Sequence, residues 1–286
     1  MNSSKVKTVL IFLLAAVDIF MLINVFTARF SKNSLSNDTL KAYAQALERR
    51  DIYVDPQDIP AQKYTQDVIA ANSSHDTRLS SAQALLGEIV AEYSLPDGIT
   101  YQSDNAYVSF FGSGRFEYGL LEDESVASIS TAPSGKLKRV QNGTAKKLKS
   151  LFNKLTSSMS SQNPDFKMLG QQEIGGFTAV YAQLTINELH VFGGDFVAVF
   201  GKENLIYLSG KYLFDIFTAS YTMEYIDAPN ALFLLDKGDV SVDNMQMIYY
   251  PVKVNDNEYF IIPSWQITAD DGSIKIFDGV SGYERQ

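Results

Sequence analysis

The chain has no cysteine, one tryptophan and only two histidines in 286 residues. Without cysteine there is no disulfide, no thiolate nucleophile, no cysteine metal site and no lipidated cysteine to serve as an anchor. His75 and His190 stand in neither HExxH nor any other metal-ligand spacing, so no metal is expected. Positive charge is also in short supply, with 24 Lys and Arg against 33 Asp and Glu and a net charge of −9. A nucleic-acid binder needs a basic face to neutralise phosphates, and this balance argues against one. The GxSxG elbow and the GxxxxGK[ST] phosphate loop are missing, so no cofactor is implied and the chain reads as a non-enzyme. The acids Glu122 to Glu124 read as a solvated linker. The acidic stretches "VNDNE" and "ADDGS" read as hairpin turns, since neither continues into a calcium loop.

A long apolar run is present, by contrast. Residues Val9 to Phe26, "VLIFLLAAVDIFMLINVF", cover roughly 27 Å as a helix, close to the hydrocarbon thickness of a bilayer. Lys5 and Lys7 precede it, and no small-x-small cleavage site follows, so it reads as an uncleaved transmembrane helix with the larger part of the chain outside the cytoplasm. Asp18 lies near its middle. A carboxylate there costs about 2.5–3.5 kcal/mol on insertion scales, which points Asp18, with Asn24 further along, toward a partner in the membrane.

Beyond the span, Ser36 or Asn37 caps a helix whose face carries Leu40, Tyr43, Ala44 and Leu47. A second helix places Ala82, Leu85, Leu86, Ile89 and Tyr93 on one face and stops at Pro96 and Gly98. "AYVSFF" and "RFEYGLL" form a hairpin around Gly112 to Gly114. Composition then shifts to Ser, Pro and Gly, which sets a boundary near Ser134. The second half restarts with a helix carrying Leu148, Leu151, Phe152, Leu155 and Met159, its lysines on the wet face. A meander follows, punctuated at Gly175 to Gly176 and Gly193 to Gly194, and then a short helix capped by Asp227 with Pro229 in its first turn and Gly238 as its stop. Three closing strands turn at Asn255 to Asn257 and Asp270 to Gly272. Among their aromatics, Tyr249, Tyr250, Tyr259 and Trp265 are candidates for an interaction surface. The expected organisation is α+β: a cytoplasmic N-terminus 1–8, a transmembrane helix 9–26, a linker 27–35, and two helix-plus-antiparallel-sheet modules at 36–133 and 134–286, both extracytoplasmic.

Three stretches carry a resemblance. The start "SSKVKTVLIFLLAAVDIFML", the segment "LSNDTLKAYAQALERRDIYVDPQDIP", and the close "YYPVKVNDNEYFIIPSWQITADDGSIKIFDGVSG" resemble the YycI branch of the YycH/YycI family. These are membrane-anchored accessory regulators of an essential cell-wall sensor kinase in Gram-positive bacteria. The positions that carry it are Lys5, Lys7, Thr8 and Asp18 to Phe20 at the start, with Asp18 where the family pattern has an asparagine, and Tyr249 to Pro251, Pro263 to Ile267 and Asp278 to Gly282 at the end, with Gln266 where the pattern has an arginine. The resemblance implies a single-pass cell-membrane protein that controls a sensor histidine kinase of a two-component system by association in the membrane, together with a sister YycH-like protein. The alternative reading is an extracytoplasmic binding module for a peptide or cell-wall fragment, held in a groove between the two modules.

Overall fold

A computed structural model describes residues 34–64, 66–121, 129–156, 164–202, 204–212, 215–217, 225–236, 238–255 and 257–285. In chain order the elements are α1 (Asn37–Glu48), β1 (Ile52–Tyr53), β2 (Ile69–Asn72), α2 (His75–Leu86), β3 (Ala91–Leu95), β4 (Gly98–Gln102), β5 (Ala106–Phe111), β6 (Arg115–Leu120) and α3 (Asn142–Thr156). They continue with β7 (Asp165–Ile174), β8 (Phe177–Ile186), β9 (Leu189–Phe200), β10 (Leu205–Lys211), β11 (Asp215–Phe217), α4 (Ala228–Leu232), β12 (Val240–Lys253), β13 (Glu258–Ala269), β14 (Ile274–Asp278) and β15 (Glu284–Arg285). The fold is mixed α+β, rich in antiparallel strands and poor in helix. Among the described residues no helix is long and apolar enough to cross a membrane; the run Val9 to Phe26, with Asp18 and Asn24, lies outside them.

Contacts divide the chain into a terminal unit, drawn from Met1–Thr65, Glu224–Gln246 and Trp265–Gln286, and a central unit, Gln66–Met223 with Met247–Ser264. The expected boundary near Ser134 therefore falls inside the central unit. The reason is non-local: β6 pairs with β10 across that boundary and joins the strands on its two sides in one sheet, while β12 and β13 each contribute their two ends to different units.

In the terminal unit, Ser36 caps α1 as expected, its Oγ accepting the Thr39 N–H at 3.2 Å, and Leu40 and Leu47 are buried. Asp227 caps α4 in the same way, accepting the Asn230 N–H at 3.1 Å, with Pro229 in the first turn. The guanidinium of Arg50 donates to the carbonyls of Phe233 at 2.7 Å and Leu235 at 3.3 Å, tying the end of α1 to the turn that follows α4. β1 runs parallel to the start of β12, Ile52 opposite Val240. β15 closes the chain against β14, where Arg285 pairs with the buried Asp278, whose Oδ1 also accepts the N–H groups of Val280 at 2.8 Å and Ser281 at 2.9 Å.

The central unit is built on an eight-stranded antiparallel sheet in the order β3-β4-β5-β6-β10-β9-β8-β7. This order is symmetric about its middle. A helix followed by a four-strand meander (α2 with β3–β6) meets a second helix and meander (α3 with β7–β10) edge to edge, through antiparallel pairing of the two last strands. Ala82 of α2 and Leu148, Phe152 and Leu155 of α3 join one core with Tyr101, Val108, Phe110, Phe196 and Leu208 of the sheet. On the other face Ala179, Tyr181, Val197, Val199, Ile206 and Tyr207 cluster, with Leu137 and Ile129 packed against them. A shorter group, β11-β2-β13, completes the unit.

The hairpin β5–β6 and the two closing turns stand where the sequence places them. Three expectations fail. The short helix α4 ends at Leu232 with Phe233 as its cap, so Gly238 is not its stop. The second helix does not reach Ile89 and Tyr93: Gly87, at φ +76°, ends it with its N–H on the Gln83 carbonyl at 2.8 Å, and Tyr93 sits in the edge strand β3. Gly193 and Gly194 do not separate two strands either. They lie within β9, at an irregularity that leaves Gln183 opposite Asp195 and Thr185 opposite His190. Met159, expected on α3, lies outside the described residues.

Candidate functional site

The aromatic group chosen from the sequence does not form a surface. Trp265, 1% exposed, belongs to the terminal unit, where its Nε1–H donates to the Ile226 carbonyl at 2.8 Å and the Tyr64 ring meets it edge-on at 5.5 Å. Tyr249 and Tyr259 are buried in the core of the central unit. The Tyr249 hydroxyl donates to the Asp67 carbonyl at 3.3 Å, and burial pushes its pKa up to about 12. Tyr259 meets Tyr212 edge-on at 6.0 Å. Tyr250 is half-buried and stacks on Phe192 at 5.5 Å. The physical reason is strand position. In the central unit β13 pairs with β2 along one edge, and Tyr249 of β12 lies opposite Val191 of β9, so their aromatics fill a core instead of facing solvent. Asp18 and Asn24 lie outside the described residues.

The terminal unit carries a feature the sequence reading missed. A cleft of about 600 Å³ opens between α1, the segment after β1 and the start of β12. Glu48, Asp55, Asp58, Asp243 and Asp270 line it with a single cation, Lys41, and all six are exposed. Five carboxylates around a volume of this size suit a cationic or hydrogen-bond-donating ligand. Among the described residues no group of three His, Asp or Glu is arranged to hold a metal ion. Only Asp55 and Asp58 are close in sequence, in "DPQD", so spacing gives no warning that the others converge.

The two histidines occupy different settings. His75, at the start of α2, lies 3.7 Å from Glu92 and 3.8 Å from Asp76 at the surface of the central unit. His190 and Asp195 flank the glycine pair of β9. Burial lowers the pKa of His190 and raises that of Asp195, which also accepts the Gln183 amide at 3.2 Å.

No protein-family model matches the chain, and no curated protein matches it. An uncharacterized protein from Eubacterium rectale is similar in structure, at 12% identity and a TM-score of 0.47, with 80% of this chain and 88% of that chain covered. The C-terminal domain of YpeB from Bacillus megaterium is also similar, at 12% identity and a TM-score of 0.35, with 75% of this chain and 96% of that chain covered.

Proposed function

We propose that this chain is a non-enzymatic, single-pass membrane protein of the YycI type that regulates a sensor histidine kinase controlling cell-wall metabolism, in concert with a YycH-like sister protein. The observation that carries the reading is Asp18 inside the apolar run Val9 to Phe26, ahead of a large folded region that bears the terminal "YYP" and "PSWQI" motifs. A carboxyl group in the hydrocarbon is stabilised by a hydrogen bond to a neighbouring helix, and such a bond contributes about 0.6–2 kcal/mol. The upper end shifts a two-state kinase equilibrium by more than tenfold when the bond is made in only one state. The test is kinase output in cells carrying Asp18→Leu at normal protein level: a changed response supports the reading, and an unchanged one removes the intramembrane contact from the mechanism.

A second reading, a binding module for a peptide or wall fragment, draws support from the acidic cleft of the terminal unit. The chemistry of its lining favours a cationic peptide. Calorimetry with a short lysine-rich peptide tests it, and heat that survives Asp55→Asn/Asp243→Asn would remove the cleft from consideration.

A further inference from the structure

We propose that residues 136–154 of the central unit form a binding ribbon for a soluble linear polyanion, a polymer with phosphate charges repeated along its length. The net charge of −9 conceals a sharp asymmetry. Between Glu124 and Asp165 the chain has seven cations and no carboxylate, whereas the other 17 cations are scattered among all 33 carboxylates. Lys136, Lys138 and Arg139 precede α3, Lys146, Lys147, Lys149 and Lys154 lie on it, and all seven are exposed.

The fold holds this run in place. Lys138 and Gln171 exchange backbone hydrogen bonds at 2.8 and 2.9 Å, and the Gln171 side chain, 5% exposed, accepts the Gln141 N–H at 2.8 Å. Leu137 lies so close to Gly170 that a Cβ there would approach the Leu137 Cβ to 2.6 Å. The segment before α3 is thereby pinned along β7 with its cations outward. In α3 the buried Leu148, Phe152 and Leu155 turn Lys146, Lys149, Ser150, Asn153 and Lys154 toward solvent, around an open cleft of about 480 Å³. A solvated helix face usually intersperses carboxylates three or four residues from its cations. Here Lys146 and Lys149 are like-charged neighbours, with the hydrogen-bonding side chains of Ser150 and Asn153 beside them.

The choice of occupant follows from what accompanies the charge. A helix that docks on a bilayer sets apolar side chains beside its cations, but the apolar side chains of α3 are committed to the core, and no large hydrophobic residue is exposed among the described residues 129–156. Single-stranded nucleic acid stacks its bases on exposed aromatics, and the one aromatic of the ribbon, Phe152, is buried. What remains is a narrow track of cations about 12 Å long on the helix, with an extended run of cations leading into it. This geometry matches repeated phosphates and offers nothing to a base or an acyl chain.

The experiment uses the full chain in uncharged detergent and end-labelled inorganic polyphosphate, read by fluorescence anisotropy across salt concentrations. Lys146→Gln/Lys149→Gln/Lys154→Gln should weaken binding at least about tenfold at low salt and flatten the slope of log affinity against log salt by roughly 2. The charge-matched Lys41→Gln/Arg49→Gln/Lys63→Gln should change it by less than about twofold, both variants keeping the wild-type melting temperature. No binding at low salt, or equal loss in the two variants, overturns the proposal. So does tighter binding to phosphatidylglycerol vesicles or to single-stranded DNA than to polyphosphate. The inference is independent of the kinase reading, because Asp18→Leu leaves the ribbon intact.

Discussion

Trp265 is the chain's only tryptophan, and its setting allows the terminal unit to be tested in isolation. Trp265→Phe keeps most of the edge-on packing with Tyr64 but removes the donor that the Ile226 carbonyl receives at 2.8 Å. Leaving this partly buried carbonyl without its partner costs about 1–3 kcal/mol. The smaller ring also leaves a void of a few carbon atoms, which adds about 1 kcal/mol. The expected total is about 2–4 kcal/mol for Phe, and Trp265→Ala, which loses the ring entirely, should cost about 3–5 kcal/mol or more. Urea unfolding followed by far-ultraviolet circular dichroism reads both, and in the wild type the indole emission should be shielded from acrylamide until the terminal unit unfolds. A loss below about 0.5 kcal/mol for Phe, or a native indole quenched as freely as free tryptophan, would refute both the burial and the hydrogen bond.

Other perturbations separate the forces at work. Burial alone would raise the pKa of Asp278, but the N–H groups of Ser281 and Val280 and the Arg285 guanidinium outweigh it and hold the carboxyl below its usual range. Its contribution is therefore present above the unfolded pKa of about 3.9 and is lost as pH falls through the folded value. Asp278→Asn should cost about 1–3 kcal/mol at pH 7 and little at the acid end of a thermal-melt series. Asp195 is the opposite case: burial raises its pKa, so its ionised form is penalised in the folded state at neutral pH. Asp195→Asn, which retains an acceptor for Gln183, should raise the melting temperature at pH 7, and the gain should vanish as pH falls through the unfolded pKa. Phe152 stacks at 5.8 Å on Phe196 and meets Phe166 at 4.6 Å beneath α3. Phe152→Ala should destabilise the central unit by about 3–5 kcal/mol in urea.

What could be read from the sequence was what is local. Capping by Ser36 and Asp227, the apolar stripe of α3 and the turn at Gly112 to Gly114 are decided within a few residues, and each is found in the fold. Ile89 and Tyr93 misled because positions seven and eleven residues beyond Ala82 satisfy a helical period, while Gly87 in its left-handed conformation stops the helix first. The strand β7, "DFKMLGQQEI", lacks a clean apolar alternation and was not expected at all. The division into units was hidden because β12 and β13 each give residues to both. For the candidate site, composition identified the aromatics of the closing strands but could not say that neighbouring strands would bury Tyr249, Tyr259 and Trp265. The acidic cleft was hidden for a related reason, since Glu48, Asp58, Asp243 and Asp270 meet only after the chain has returned to its starting unit.

A cysteine scan addresses the proposed helix contact in the membrane. Because the native chain lacks cysteine, single cysteines at each position from Ala15 to Phe26 can be oxidised in native membranes against cysteines placed in the kinase's spans. The regulator reading predicts crosslinks that recur with a helical period and peak on the face of Asp18. Crosslinks absent on every face, in well-expressed protein, would contradict it and reduce the span to a tether.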